Sequence, residues 1–398
     1  MSKESSNDLV VKSAPHITGT MTKTRLMLYT FVALLIITVV TAVLWWPVTT
    51  PTEGQIAAFK LTNVWALPLG LIVLINAGIA VGISVGIDAA LHKVTADSEL
   101  NTMSAAVFGL IVTLSYSLGV PAMTTGSDVL PVASLSAPGA FFYVAVISLI
   151  GLVLFKKLAG LAGRKYVNPA ATAKLIVLLP FIASIFLAKE HFASYTEGGL
   201  SLPLLAGPLG WGTAPNFLAI GNNGLASFAT YLAGSYANPA VTTPVATPDN
   251  ISSLLILTKF HGWTGGASSL AVIIVGIGLF VVARKYIKWR ITLAYFLSIA
   301  VMSMIMSTVY ADQDLLLRLL FEVFIGSSIF LGFFMATDPA TTPFTGIGQI
   351  IFGVGLGVLT VVIQTYMNFF GGSLLALIIM NLTVPLIDRV GIHKPFGR

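Results

Sequence analysis

The stretch FFMATDPATTPFTGIGQIIFGVGLGVLTVVIQ, residues 333–364, sets an apolar run behind a short polar turn. The run from about 347 to 365 carries no charge and has the roughly 20 residues that a helix needs to cross a bilayer. The turn ahead of it, TDPATTPF at 337–344, has an echo in VNPAATAK at 167–174, which opens another apolar segment. Asn or Asp caps a helix start, and Pro suits its first turn. In a membrane, paired broken or late-starting helices point their positive ends at a midplane ligand. Asn168, Pro169, Asp338 and Thr341 are therefore candidate binding residues. Two ordinary capped helix starts are the competing reading.

The rest of the 398-residue chain agrees with a membrane setting: 56% of it is hydrophobic and 9% is charged. Soluble domains are about a quarter charged. Apolar runs recur at about 25–46, 64–91, 103–120, 138–158, 169–188, 267–283, 291–309, 315–336, 347–365 and 372–388. The expected fold is an all-α polytopic membrane protein of about ten transmembrane helices in two pseudo-repeated halves. Broken or late-starting helices follow Asn168-Pro169 and Asp338-Pro339.

Charge sets the expected topology. One alternating set of loops carries Lys156, Lys157, Arg164 and Lys165, then Arg284, Lys285, Lys288 and Arg290, then Arg389, Lys394 and Arg398. The other carries Asp128, Asp312 and Asp314. Basic loops stay cytoplasmic, which puts both termini inside. The expected organisation is a cytoplasmic tail at 1–24, a first membrane half at 25–188 and a long external loop at 189–266. A second half at 267–389 and a cytoplasmic tail at 390–398 follow. The net charge of +6 follows from these loops and does not point to nucleic acid. The chain has no Cys, which excludes disulfides and cysteine-ligated iron–sulfur clusters within it. No two His have ligand spacing, so no metal site is expected.

Polar residues inside the spans mark further candidates. Glu322, in LLFEVFIGSS, sits mid-span in the expected eighth helix, where a carboxylate is costly and signals an ion path. Asp88 lies nearer a cytoplasmic end and reads as a cap or rim charge. Asn76 and Asn381 are expected to hydrogen-bond between helices. Ser268 and Ser269, in GGASSLAV, open the sixth span and could seat an anion or a polar ring. Close packing through small residues is the alternative there.

Several stretches resemble the D-type membrane component of the Rnf complexes and its relative, the B-type component of the Na+-translocating NADH:quinone oxidoreductases (Nqr). SAPHITGTMTKTRLMLYTFVALL at 13–35 resembles the family's Ser-x-Pro-His start and first span. KKLAGLAGRKYVNPAATAKL at 156–175 resembles its basic loop and Asn-Pro-Ala. GGASSLAVIIVGIGLFVVARKYIKWRITLAYF at 265–296 resembles its sixth helix and Ile-x-Trp-Arg loop, with Gly266 where a Glu is expected. The 333–364 block matches best, and MNLTVPLIDR at 380–389 closes the chain in the same way.

The resemblance implies a membrane subunit of a redox-driven Na+ or H+ pump, sited in a prokaryotic inner membrane among lipid and partner subunits. It implies an FMN joined by a phosphodiester to a Thr hydroxyl, attached by a flavin transferase, and a riboflavin within the helix bundle. The matching place here is TTPVATPDN at 242–250, so Thr247 is the expected attachment residue. Pro244 and Val245 replace the family's Ser/Thr and Gly. A flavin-less scaffold of the same complex type is thus a second reading. A small-solute channel with duplicated Asn/Asp-Pro-Ala half-helices is a third. No dinucleotide-binding motif is recognisable, so donor oxidation falls to partners.

Overall fold

The computed structural model describes residues 23–47, 49–50, 67–94, 102–119, 122–125, 128–131, 137–158, 166–177, 256–257, 262–284, 286–310, 315–324, 328–367 and 372–390. Every expected span contains a helix. In chain order these are α1 (Lys23–Leu44), α2 (Leu69–Val94), α3 (Thr102–Ser115), α4 (Ala137–Ile150) and α5 (Pro169–Val177). Then come α6 (Ser269–Ala283), α7 (Trp289–Tyr310), α8 (Leu315–Phe324), α9 (Ser328–Phe330), α10 (Gly346–Met367) and α11 (Gly372–Ile387). Gly151–Leu158 extends α4 with π-helical geometry, and Leu331–Met335 does the same for α9.

Five helices are long and apolar enough to cross a membrane: Thr24–Leu44, Leu69–Lys93, Ala140–Leu158, Trp289–Tyr310 and Gly346–Tyr366. The α8–α9 pair makes a sixth if it is one span bent by 61°. Thr102–Ser115, Ser269–Ala283 and Gly372–Ile387 are apolar but shorter. A helix rises 1.5 Å per residue, so the 14 residues of α3 reach only about 21 Å of a hydrocarbon core about 30 Å thick.

The expected third span is therefore interrupted. After Ser115 the chain turns extended, and Ser117–Gly119 pairs antiparallel with Gly262–Trp263. That ladder leads into the 3-10 turn Thr264–Gly266 and then α6. The last residues of the expected 189–266 loop thus belong to the bundle, and Trp263, Thr264, Gly265 and Gly266 are buried. The remainder of that loop apart from 256–257, including Thr247, lies outside the described residues. So do residues 1–22 and 391–398 of the expected tails.

Small residues bring the helices together, as expected where lipid supplies no hydrophobic drive. A Cβ on Gly109 of α3 would lie 2.7 Å from the Ala80 carbonyl oxygen of α2. One on Gly353 of α10 would lie 2.6 Å from the Ile291 oxygen of α7. Side chains such as Val281, Ile274 and Leu297 cover the outside of the bundle. Between α6, α7 and the π-helical turn, Phe333 packs on Phe280 and Phe296 with ring centroids 5.4 and 5.6 Å apart.

Two expectations are corrected. The Asn76 and Asn381 side chains are buried but make no hydrogen bond among the described residues. The contact at Asn76 runs through its backbone instead: Thr113 Oγ1 donates to the Asn76 carbonyl at 3.2 Å. Asp88 is neither a cap nor a rim charge. It is buried and ion-paired with Lys157, tying α2 to the end of α4.

Candidate functional site

The two Pro-containing turns fold differently. Asn168 Oδ1 accepts from the Ala170 and Ala171 backbone N–H groups at 3.2 and 3.1 Å, so Asn168 caps α5 and Pro169 is its first residue. Asn168→Ala should cost about 1–2 kcal/mol, the usual loss of a helix N-cap, and Asn168→Asp should keep the cap. Thermal unfolding of the solubilised protein reads the difference.

Asp338 instead anchors a non-helical turn. Its Oδ1 accepts from Ala340 N–H at 3.1 Å, and its Oδ2 from Thr341 Oγ1 at 3.4 Å. The following helix starts only at Gly346, where Thr345 Oγ1 accepts from Gly348 N–H. Lys288 holds the turn from the α6–α7 connection. Its ammonium donates to Pro339 O at 3.2 Å, Thr342 O at 3.1 Å and Thr342 Oγ1 at 2.8 Å. In the sequence Lys288 reads only as a topology signal, and nothing local points to this contact.

A second centre forms where α3 ends inside the bundle. The last carbonyls of a helix need partners, and a cation suits that end. Lys174 of α5, wholly buried, donates to the Ser115 carbonyl and sits 4.5 Å from the Trp263 ring centroid. Thr264 N–H and Oγ1 both donate to the Tyr116 carbonyl, at 2.9 and 2.6 Å. Thr41 Oγ1 of α1 donates to the Thr264 carbonyl at 3.0 Å. Irregular backbone at membrane depth survives only when buried in protein or lining a cavity, and these bonds satisfy it here. Lys174 is a lone charge in an apolar run, a pattern that marks it without any structure.

Ser268 and Ser269 begin α6 beside this centre. The Ser268 hydroxyl oxygen accepts from Ala271 N–H at 3.3 Å, and Ser269 is fully buried. One of the free N–H groups of that helix start is thus taken by the Ser268 cap.

The third centre holds Glu322. The carboxylate is not mid-span in a continuous helix. It lies near the end of the short α8, before the bend to α9. Arg318, one turn earlier, places Nε 3.3 Å from Glu322 Oε1, and both side chains are fully buried. Thr365 Oγ1, near the end of α10, donates to the same oxygen at 3.4 Å. Gln364 Nε2 donates to Ser328 Oγ at 3.4 Å, linking α10 to α9. The i,i+4 spacing of Arg318 and Glu322 is readable in the sequence. Thr365 is not, because its contact spans 43 residues.

This is a polytopic helical membrane protein with charged groups and broken helices buried among its spans. Residues 10–397 match the NQR2, RnfD, RnfE family, and the chain belongs to that family. It is 29% identical to the D subunit of an ion-translocating oxidoreductase complex of Stutzerimonas stutzeri, over 66% of this chain and 72% of the relative. It is 25% identical to the D subunit of a Na(+)-translocating ferredoxin:NAD(+) oxidoreductase complex of Acetobacterium woodii, over 98% of this chain and 96% of the relative. The D subunit of an ion-translocating oxidoreductase complex of Halorhodospira halophila is 27% identical, over 66% of this chain and 71% of the relative.

Proposed function

We propose that the chain is an integral membrane subunit of a redox-driven complex that moves Na+ or H+ across the cytoplasmic membrane of a prokaryote. The observation that carries this reading is the family match across residues 10–397. The relatives named as ion-translocating oxidoreductase subunits support the class of activity. The alternating basic loops support both termini on the cytoplasmic side. Partner subunits oxidise the donor, since this chain has no Cys for an iron–sulfur cluster.

Within this reading Thr247 carries FMN through a phosphoester, placed there by a flavin transferase, and a riboflavin is a second candidate cofactor. A bound flavin supplies the electron-transfer chemistry, while the chain supplies position and electrostatics. Support for Thr247 comes from the resemblance of PVATPDN to the family's attachment motif. Glu322 serves the ion path, supported by its burial beside Arg318 and Thr365.

Two experiments test the reading. Inverted vesicles from cells lacking the chain should lose donor-driven ion uptake and regain it when the chain is restored; uptake unaffected by the loss rejects the role. For the cofactor, the denatured protein should fluoresce in a gel under ultraviolet light, and Thr247→Ala should darken the band. A dark wild-type band in a host that attaches flavins supports a flavin-less scaffold, the reading that Pro244 and Val245 favour.

A further inference from the structure

We propose that Glu322, Thr365, Gln364 and Ser328 form an all-oxygen seat for a small hard cation, Na+ or a hydrated proton, and that Arg318 is the tethered counter-ion this cation displaces. The inference rests on the ion-translocating reading above and names how one of its sites works.

The first ground is the pair itself. Arg318 and Glu322 are both wholly buried, with Nε and Oε1 3.3 Å apart. Taking two charges out of water is costly, and a well-packed apolar pair is often as stable or more so. Packing alone therefore gives no reason for charge at these two positions.

The second ground is what surrounds the carboxylate. Its Oε1 already shares the Thr365 hydroxyl. Beside Thr365 on α10, Gln364 turns its Nε2 to Ser328 Oγ. Its Oε1, fully buried, accepts no hydrogen bond among the described residues. A buried acceptor without a donor is costly, and a bound cation would satisfy it. One carboxylate with neutral amide and hydroxyl oxygens is a ligand set for a hard cation and not for a soft one.

The third ground is that Arg318 already has a second partner besides Glu322. Its guanidinium carbon is 5.8 Å from the Tyr310 ring centroid, within reach of a cation–π contact. The Tyr310 hydroxyl bonds that of Tyr366 at 3.2 Å, and Tyr366 is 58% exposed. The guanidinium thus already lies between Glu322 and this tyrosine pair, and the proposed exchange shifts it toward the tyrosines. When a cation arrives, one positive charge leaves the carboxylate and one takes its place. The carboxylate is never left bare in the bundle, the state that costs most. When the cation departs, Arg318 returns and closes the seat behind it.

Competition makes the prediction specific. Without Arg318 the seat should hold its cation more tightly and release it more slowly. In the intact complex in vesicles, Arg318→Gln should lower the cation concentration for half-maximal turnover by about 5–150-fold, the usual size of the coupling between two binding events in one protein. Maximal uptake should fall as well. Arg318→Lys keeps a competing charge and should stay within about threefold of wild type in half-saturation. Gln364→Leu removes one neutral oxygen, leaves the ion pair in place and should raise half-saturation. Titrating NaCl at fixed pH, and pH in sodium-free buffer, separates Na+ from a proton. An unchanged or raised half-saturation in Arg318→Gln for both ions overturns the proposal. If that variant fails to accumulate, an unchanged half-saturation in Gln364→Leu overturns it instead. Failure of the wild-type complex to take up either ion would sink the functional reading rather than this site.

Discussion

Glu322→Gln is expected to reduce donor-driven ion uptake by about tenfold, equivalent to about 1.4 kcal/mol on the limiting step, while donor oxidation stays within about twofold. The substitution keeps the shape of the side chain and removes its charge. It leaves Arg318 buried without its carboxylate, and breaking a buried pair in this way costs about 3–5 kcal/mol of stability. The double variant Arg318→Gln, Glu322→Gln removes both charges and should recover most of that stability. It should not recover uptake, because the seat still lacks its carboxylate. Ion uptake and donor oxidation measured in the same vesicles separate the two effects. Equal loss of both in Glu322→Gln, restored together in the double variant, would show that the pair only holds the bundle together.

Gly357→Leu should be among the most damaging substitutions in the membrane domain. A Cβ at Gly357 of α10 would lie 2.0 Å from Ser298 Oγ and 2.7 Å from the Tyr295 carbonyl oxygen of α7. Ser298 could rotate away only by giving up its bond to the Val354 carbonyl, 3.0 Å long. The Tyr295 carbonyl is backbone and cannot move without the helix. Gly353, one turn earlier on α10, meets the Ile291 carbonyl in the same way, so the two glycines let α7 and α10 approach closely. Overpacking costs about 1–3 kcal/mol where side chains can yield, and the backbone here puts Gly357→Leu at or above about 3 kcal/mol. Gly278→Ala is the matched control, since a Cβ there meets nothing within 4 Å. It should be neutral or stabilising by up to about 1 kcal/mol, the helix-propensity gain of Ala over Gly. Thermal unfolding of the solubilised complex distinguishes them; equal midpoints for the two variants would contradict the close approach.

The helices are legible because each is an oily run with few charges, and all ten expected runs hold one. The Asn168 cap is legible because its partners lie two and three residues away. Where helices stop inside apolar sequence is not legible. No local signal ends α3 at Ser115: the Ser115 carbonyl is met by Lys174, 59 residues on, and that of Tyr116 by Thr264, 148 residues on. The bend between α8 and α9 falls where the sequence reads Gly326-Ser327-Ser328, a Gly/Ser signal that the count of apolar runs passes over. Asp338 shows the limit of a motif. It has the same Pro-Ala-x-Thr tail as Asn168, yet Pro343 follows where the other turn has Ala173, and the resulting non-helical turn offers three oxygens to Lys288. Arg318 needed only the i,i+4 rule, whereas Thr365 and Gln364 needed the single hydrogen bonds that join α10 to α8 and α9 across the bundle.

The most direct test of the proposed function is made on the purified complex reconstituted into sealed vesicles, with ion uptake followed as electron donor is added in limiting amounts. Uptake should begin with each addition, scale with the electrons delivered and stop when the donor is spent. Ion or solute flux without donor, or donor oxidation with no ion uptake in tight vesicles, would contradict a redox-driven pump.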